Sequence, residues 1–265
     1  MSSKSYQKYL NHLKTASPLV LCLTNTVTIT ECANALLAIG AAPVMSEDPA
    51  DAASLALLAS SLVINIGTIN DRSQAVMEAA AQAALNKGIP VILDPVGAGA
   101  SLRRMEASKQ FLKVASVIRG NASEILALTG HRETQRGVDS SAKTEDDILL
   151  EKASQLALDT KAVVAVSGPV DLITDGNTVI KIEGGTPLLT RLTGTGCMLS
   201  AIVGAYIGGW PTDQLLATAA AHIHLARAGE KAKNRLDRHT ALGSFKTFLF
   251  DELAMMEGSD LDEKI

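Results

Sequence analysis

The chain has 265 residues, 24 Lys and Arg against 28 Asp and Glu, and 47% hydrophobic residues but only 3% aromatics. That length buries a sizeable core, built here from Ala, Leu, Val and Ile. No basic or aromatic-interleaved patch is present, which argues against nucleic acid as a main partner. Cys22, Cys32 and Cys197 lack CxxC pairing, so neither a disulfide framework nor a zinc site is indicated.

The N-terminal stretch is polar and mixed in charge with no apolar signal core, so a cytoplasmic protein is expected. "PLVLCLT" (18–24) reads as a strand, and "ITECANALLAIG" as a helix closed by Gly40. "SLVINIG" (61–67) is a second strand of buried type. An Ala-rich helix follows it, with Asp71 near its start and Gly88 past its end. "IPVILDP" (89–95) and "ASVIRGN" (115–121) continue as strands with helices after each, and "KAVVAVSG" (161–168) is another strand. "DLITDGNTVIKIEGG" holds two alternating runs around Asp175-Gly176 and predicts a hairpin. From Gly194 the pattern is helical nearly to the end. The apolar run from Cys197 stops at Pro211, too short to span a bilayer, and the acidic residues 258–265 are expected to fray.

Alternating strands and helices with continuously apolar strands predict a mostly parallel α/β sheet covered on both faces. No linker or repeat divides the chain, so 1–265 is expected to be one domain. In such sheets ligands sit beyond the carboxyl ends of the strands. The residues at those ends are Asn25, Asn65 with Gly67-Thr68, Asp94 with Gly97 and Gly99, Arg119 with Asn121, and Ser167.

Two readings stand at most of these positions. Asp94 is either a turn residue bonding local backbone N–H groups or a cation ligand. Glu124 falls three residues after Asn121, the spacing of a capping box. With Asp94 it could equally hold Mg²⁺, which keeps several waters and needs few protein ligands. Arg119 is a surface cation or a phosphate contact. Thr193-Gly194-Thr195-Gly196-Cys197 is a tight turn into a core helix, or an anion site in which glycines turn N–H groups toward a ligand. His222 and His224 point to different faces of a helix and are poor co-ligands. There is no P-loop motif, and "GAGASL" (97–102) lacks the third glycine of a dinucleotide fingerprint.

"LTNTVTITECANALLAIGAAPVMSEDPAD", "LVINIGTI", "VILDPVGAGAS", "VIRGNASEI" and "LTGTGC", in this order and spacing, resemble the hydroxyethylthiazole kinases of thiamine salvage. The likeness runs from about residue 18 to about residue 250. It implies a ribokinase-like three-layer α/β/α fold with no separate lid, assembled as a homotrimer with active sites between subunits. The implied reaction moves the γ-phosphoryl of ATP to the primary alcohol of 4-methyl-5-(2-hydroxyethyl)thiazole, with Mg²⁺.

Carried onto matching positions, the resemblance assigns Asp94 and Glu124 to the metal, and Arg119, Asn121 and Ser167 to ATP. It puts Asn25, Val27, Met45, Gly67, Thr68 and Gly194 around the thiazole, with the Met45 backbone N–H in contact. Gly194, Thr195 and Gly196 become an anion hole, and Cys197 lies beside the substrate hydroxyl. Related sugar kinases place Asp there as general base. A thiol at a helix N-terminus acquires partial thiolate character, and the alternative is a small spacer against the ring. Leu21 where relatives have His, Ala241-Leu242 in place of Gly-Pro, and "SGPVD" (167–171) depart from the family pattern. A kinase for another small alcohol, a non-catalytic binder and a dehydrogenase are the competing functions.

Overall fold

The apolar runs form strands because each lies in a sheet that helices cover on both faces, so alternate side chains enter two separate cores. The computed structural model describes residues 5–131 and 144–262. In chain order these are α1 (Gln7–Ala16), β1 (Leu19–Leu23), α2 (Ile29–Ala38), β2 (Ala42–Val44), α3 (Pro49–Ala56) and β3 (Ser61–Asn65). Next come α4 (Asp71–Lys87), β4 (Val91–Asp94), α5 (Leu102–Leu112), β5 (Val117–Asn121), α6 (Ala122–Leu128) and α7 (Glu145–Thr160). The chain then runs through β6 (Val163–Ser167), β7 (Val170–Thr174), β8 (Val179–Glu183), α8 (Thr195–Gly209), α9 (Gln214–Asn234) and α10 (Leu242–Met255).

One eight-stranded sheet has the order β2-β1-β3-β4-β5-β6-β7-β8. Strands β2 to β6 are parallel and the hairpin β7–β8 is antiparallel, as the alternating runs around Asp175-Gly176 predict. Val20, Cys22, Val63 and Ile92 face one core with α1, α2, α8, α9 and α10. Leu21, Leu23, Leu62, Ile64, Val91 and Leu93 face the other, with α3 to α7. This is the three-layer α/β/α arrangement. Among the described residues no helix is long and apolar enough to cross a membrane.

Helix α8 is the keystone of the first layer, buried continuously from Met198 to Ile207. At Gly204 a Cβ would lie 2.6 Å from Val63 Cγ2, so the glycine lets the helix axis close onto β3. The helix N-terminus is thereby held at the carboxyl ends of the central strands. The strand order reverses between β1 and β3, the switch point at which open sheets leave a crevice.

Three elements carried too weak a signal to be predicted. Strand β2 is three residues long and contains Pro43, tolerated because it is an edge strand. Helix α1 buries only Tyr9, Leu10 and Leu13 among polar residues. Helix α3 starts at Asp48, which accepts from the N–H groups of Ala50 and Asp51, with Pro49 in the first helical position.

The expected fraying of 258–265 is corrected over its first part. Gly258–Leu261 form a 3₁₀ turn packed on α1, with Leu261 buried. Lys231 Nζ pairs with Asp260 at 2.6 Å, and Ser5 Oγ donates to Asp262 at 2.6 Å. Acidic residues read as a solvated tail therefore find cationic and hydroxyl partners. Residues 263–265 lie outside the described residues.

Candidate active site

Each predicted strand-end residue stands at the carboxyl edge of the sheet, and the ladder register sets their spacing. Asn65 lies opposite Asp94 across β3 and β4, and Asn121 opposite Ser167 across β5 and β6. A chain of hydrogen bonds runs along this edge. Asn25 Nδ2 donates to Asn65 Oδ1 at 3.1 Å, and Asn65 Nδ2 donates to Asp94 Oδ2 at 2.7 Å. Ser200 Oγ, one turn into α8, donates to the same Asp94 oxygen at 2.8 Å.

Asp94 does not cap a local turn with its side chain. It is buried, its Oδ2 is held from β3 and α8, and its Oδ1 has no hydrogen-bond partner among the described residues. Burial, reinforced by the Glu124 charge, pushes its pKa up to about 6 against Arg119, Ser200 and Asn65. An orphaned, desolvated carboxylate oxygen is costly unless something outside the chain satisfies it. A divalent cation fits that need, being an oxygen-seeking counter-charge that takes one or two carboxylates and fills its shell with water and phosphate.

Glu124 realises the capping box. Asn121 accepts from the Glu124 N–H, and Glu124 Oε2 accepts from the Asn121 N–H at 2.8 Å. Its other oxygen, Oε1, accepts from the Gly97 N–H at 2.9 Å. The capping-box reading of this residue is borne out. The cap fixes a carboxylate beside the loop that follows Asp94, with lone pairs left for water.

Arg119 is 7% exposed, not a surface cation. It donates to Ser167 Oγ, while its Nε has no partner among the described residues. With Asn121, Ser167, Thr195 and Gly196 it lines a cavity of about 500 Å³ that continues along Gly184–Leu189 and α9. A Cβ on Gly196 would meet Arg119 Nη1 at 2.9 Å, so only glycine lets the guanidinium lie against this backbone. Gly194, with φ +91°, is the N-cap of α8, and no side chain caps that end. Thr195 and Gly196 of that first turn line the cavity with Arg119, and a helix N-terminus beside a guanidinium attracts anions.

Cys197 is half-buried in the first turn of α8. Its Sγ receives Asn25 Nδ2 and Asn65 Nδ2, each at 3.2 Å. Burial and the Asp94 charge raise the thiol above its ordinary pKa, against hydrogen bonding from Thr28 and Asn65. The expected partial thiolate is thus corrected. Desolvation beside a carboxylate outweighs the helix N-terminus.

The residues assigned to a thiazole are brought together only in part. Asn25 Oδ1 accepts from the Val27 N–H and Thr28 Oγ1, and Thr68 Oγ1 accepts from the Thr26 N–H. Asn25, Gly67 and Thr68 therefore form one cluster. Val27 stays 64% exposed at the rim of a smaller cleft of about 270 Å³ with Leu192, Thr193 and Met198. Met45 is half-buried just beyond the edge strand β2.

Sequence reasoning missed three side chains that act on this edge. Ser200 could have been found from its position one turn after Gly196. Arg104 donates to the carbonyls of Gly67 at 2.7 Å and Val96 at 3.1 Å, tying the loops after β3 and β4. Asp171 reaches the cavity only because the hairpin folds back, a non-local event without a sequence signal.

The eight-stranded sheet with α8 aimed end-on at its strand ends is a three-layer α/β fold that solved kinases share. The pyridoxal kinase of Bacillus subtilis solved as an ADP complex superposes with a TM-score of 0.57 at 20% identity. It matches over 80% of this chain and 91% of that one, a likeness of fold alone. Within that class the chain belongs to the hydroxyethylthiazole kinase family, whose model matches residues 10–258. The hydroxyethylthiazole kinase of Clostridium beijerinckii is 39% identical over 259 residues, covering 96% of this chain and 93% of its own. That of Methanosphaerula palustris is 43% identical over 251 residues, covering 93% and 92%. The solved hydroxyethylthiazole kinase protein from Pyrococcus horikoshii OT3 superposes with a TM-score of 0.87 at 33% identity, covering 98% and 96%.

Proposed function

We propose that the chain transfers the γ-phosphoryl group of ATP to the primary alcohol of 4-methyl-5-(2-hydroxyethyl)thiazole, in the cytoplasm and with Mg²⁺. The observation that carries the chemistry is the bare Oδ1 of buried Asp94 beside the uncapped, glycine-led N-terminus of α8. The thiazole as acceptor is supported by relatives of that name at 39% and 43% identity.

Phosphoryl transfer passes through a loose transition state and asks for positioning and charge stabilisation more than proton removal. Arg119, Asn121 and Ser167 hold the nucleotide phosphates at the carboxyl ends of β5 and β6. Backbone N–H groups of Gly194, Thr195 and Gly196 stabilise the transferring oxygens without reorganising. Asp94, directly, and Glu124, through water, would hold Mg²⁺, which supplies neutralising charge on the phosphates. Asn25 and Asn65 fix Cys197 beside the acceptor hydroxyl, and Gly67 and Thr68 flank the ring. Val27 lies open to solvent in one chain, with Met45 half-buried near the sheet edge, which suits a homotrimer whose neighbouring subunit closes each site.

Purified protein with ATP, Mg²⁺ and a panel of small alcohols, followed by product mass, tests this. The thiazole alcohol is expected to gain one phosphoryl group. Phosphorylation of pyridoxal or a hydroxymethylpyrimidine with the thiazole untouched would overturn the assignment.

A further inference from the structure

Helix α9 carries two buried histidines whose surroundings differ. His224 has both ring nitrogens occupied, Nδ1 by Tyr206 Oη at 2.9 Å and Nε2 by the Leu253 carbonyl at 3.1 Å. It is a satisfied core residue. His222, two positions earlier, lines the 500 Å³ cavity. Its Nδ1 pairs with Asp171 Oδ2 at 2.7 Å, yet its Nε2 is buried with no partner among the described residues. Its side chain is wholly buried and that of Asp171 is 16% exposed. A buried ring nitrogen left open on a cavity wall needs an explanation that packing does not give.

Only Arg119, Asp171 and His222 among the cavity-lining residues can carry charge. The stretches of β6 and α8 and the loop after β8 on this wall contribute uncharged groups, Ser167, Gly184, Thr195 and Leu199 among them. Asp171 also accepts from the Gly168 N–H at 2.9 Å. Burial would raise its pKa, but the charge that His222 carries once protonated, its hydrogen bond, the Gly168 N–H and Arg119 together hold it below the ordinary carboxylate range. The carboxylate thus stays ionised and keeps the Nδ1 proton on His222.

That bond fixes the tautomer. A neutral His222 donates through Nδ1 and offers only a lone pair at Nε2, whereas an imidazolium donates from both nitrogens. Ionised phosphates present acceptors alone. A neutral His222 beside Asp171 would therefore meet an incoming polyphosphate with a carboxylate charge and a lone pair, and both repel it.

We propose that the Asp171–His222 pair is a proton-coupled contact for the nucleotide. On binding a nucleoside polyphosphate, Nε2 takes one proton from solvent and donates it in a hydrogen bond to a phosphoryl oxygen. No covalent bond changes. The pair passes from net −1 to neutral and the proton returns to solvent when the nucleotide leaves. Asp171 is a positioning residue that stabilises the imidazolium. This rests on the reading of the cavity as the nucleotide site.

The test is calorimetric titration of the full chain with ADP at pH 7.5, in buffers of low and high ionisation enthalpy. Wild type is expected to take up close to one proton per ADP beyond the uptake of free ADP. His222→Gln and Asp171→Asn should lose that uptake, with affinity down by about tenfold to a hundredfold, the scale of one charge-assisted hydrogen bond. Imidazole ¹⁵N shifts of unmutated protein give a second readout that no folding defect can imitate, with Nε2 expected protonated only when ADP is bound. Absence of proton uptake in wild type, or uptake unchanged in His222→Gln, overturns the proposal. Weaker binding in His222→Gln without any wild-type uptake also overturns it, because the contact is then made without a change of protonation. Arg119→Met separates the two levels of inference. If it abolishes ADP binding while His222→Gln behaves as wild type, only the histidine assignment fails. If it leaves ADP affinity unchanged, the cavity is not the nucleotide site and both fail.

Discussion

Asp94 sets the sign of one pH effect. Its folded pKa of about 6 lies above the ordinary carboxylate value, so between about pH 4 and 6 the folded state binds more protons than the unfolded. Stability therefore falls as pH rises through that window, and the full cost, on the order of 3 kcal/mol, is present above it. Asp94→Asn keeps an oxygen for Asn65 and Ser200 and removes the buried charge. Its denaturation midpoint in metal-free protein is expected to exceed wild type at pH 8 and match it near pH 4, while Mg²⁺-ATP turnover collapses. A midpoint gain that persists at pH 4 would show that the charge is not the cause. Cys197 is the other residue-scale case. If the raised thiol that accepts two amide N–H groups is a spacer, as its surroundings favour, Cys197→Ser should stay within about tenfold of wild-type kcat. Cys197→Ala, which frees both amides, should fall further, still below the upper end of the 10²–10⁴-fold range of general-base effects. Profiles of kcat against pH for wild type and Cys197→Ser should superimpose; an alkaline limb found only in wild type would reinstate the thiolate.

At the scale of elements, the start of α8 concentrates the backbone demands of the site. Gly194 has φ +91°, and a Cβ there would lie 2.7 Å from Thr28 Cγ2. Alanine would incur about 1–2 kcal/mol from the left-handed backbone alone. It would also displace Thr28, whose hydroxyl donates to Asn25. Gly194→Ala is thus expected to lower Tm by several degrees and kcat/KM for the alcohol by more than its KM for ATP. Gly243, inside α10 with nothing within 4 Å of a built Cβ, is the control. Gly243→Ala should raise Tm slightly, by the entropy it removes from the unfolded chain. Equal losses in both variants would mean that generic helix effects, not the Thr28 contact, govern Gly194.

The whole molecule joins two cores through one sheet, and the site proposed for it is split between the larger cavity, read as the nucleotide's, and the smaller cleft around Val27, read as the acceptor's. Val27 at 64% exposure is a poor wall for a heterocycle unless a second subunit covers it. Specific activity should fall on dilution in step with loss of the oligomer in sedimentation, and thiazole affinity should fall before ADP affinity. A fully active monomer would overturn the shared-site reading.

Much of this was legible in the sequence because it is local. Apolar runs of strand length, Gly40 and Gly88 after helices, Asn121 with Glu124, and Asp175-Gly176 each encode their element within a few residues. The parallel order then places Asn25, Asn65, Asp94, Arg119 and Ser167 on one edge, since parallel strands share a carboxyl end. What only the tertiary structure decided is where charge and exposure fall. The orphaned Asp94 oxygen, the raised Cys197 thiol and the buried Arg119 guanidinium follow from desolvation by residues distant in the chain. So does the open Nε2 of His222, which exists because a hairpin brings Asp171 beneath α9. The docking of 258–262 on α1 likewise depends on contacts across almost the full chain. Periodicity and spacing report which face a residue prefers. The dielectric around it and the partner opposite it are fixed only once the layers close.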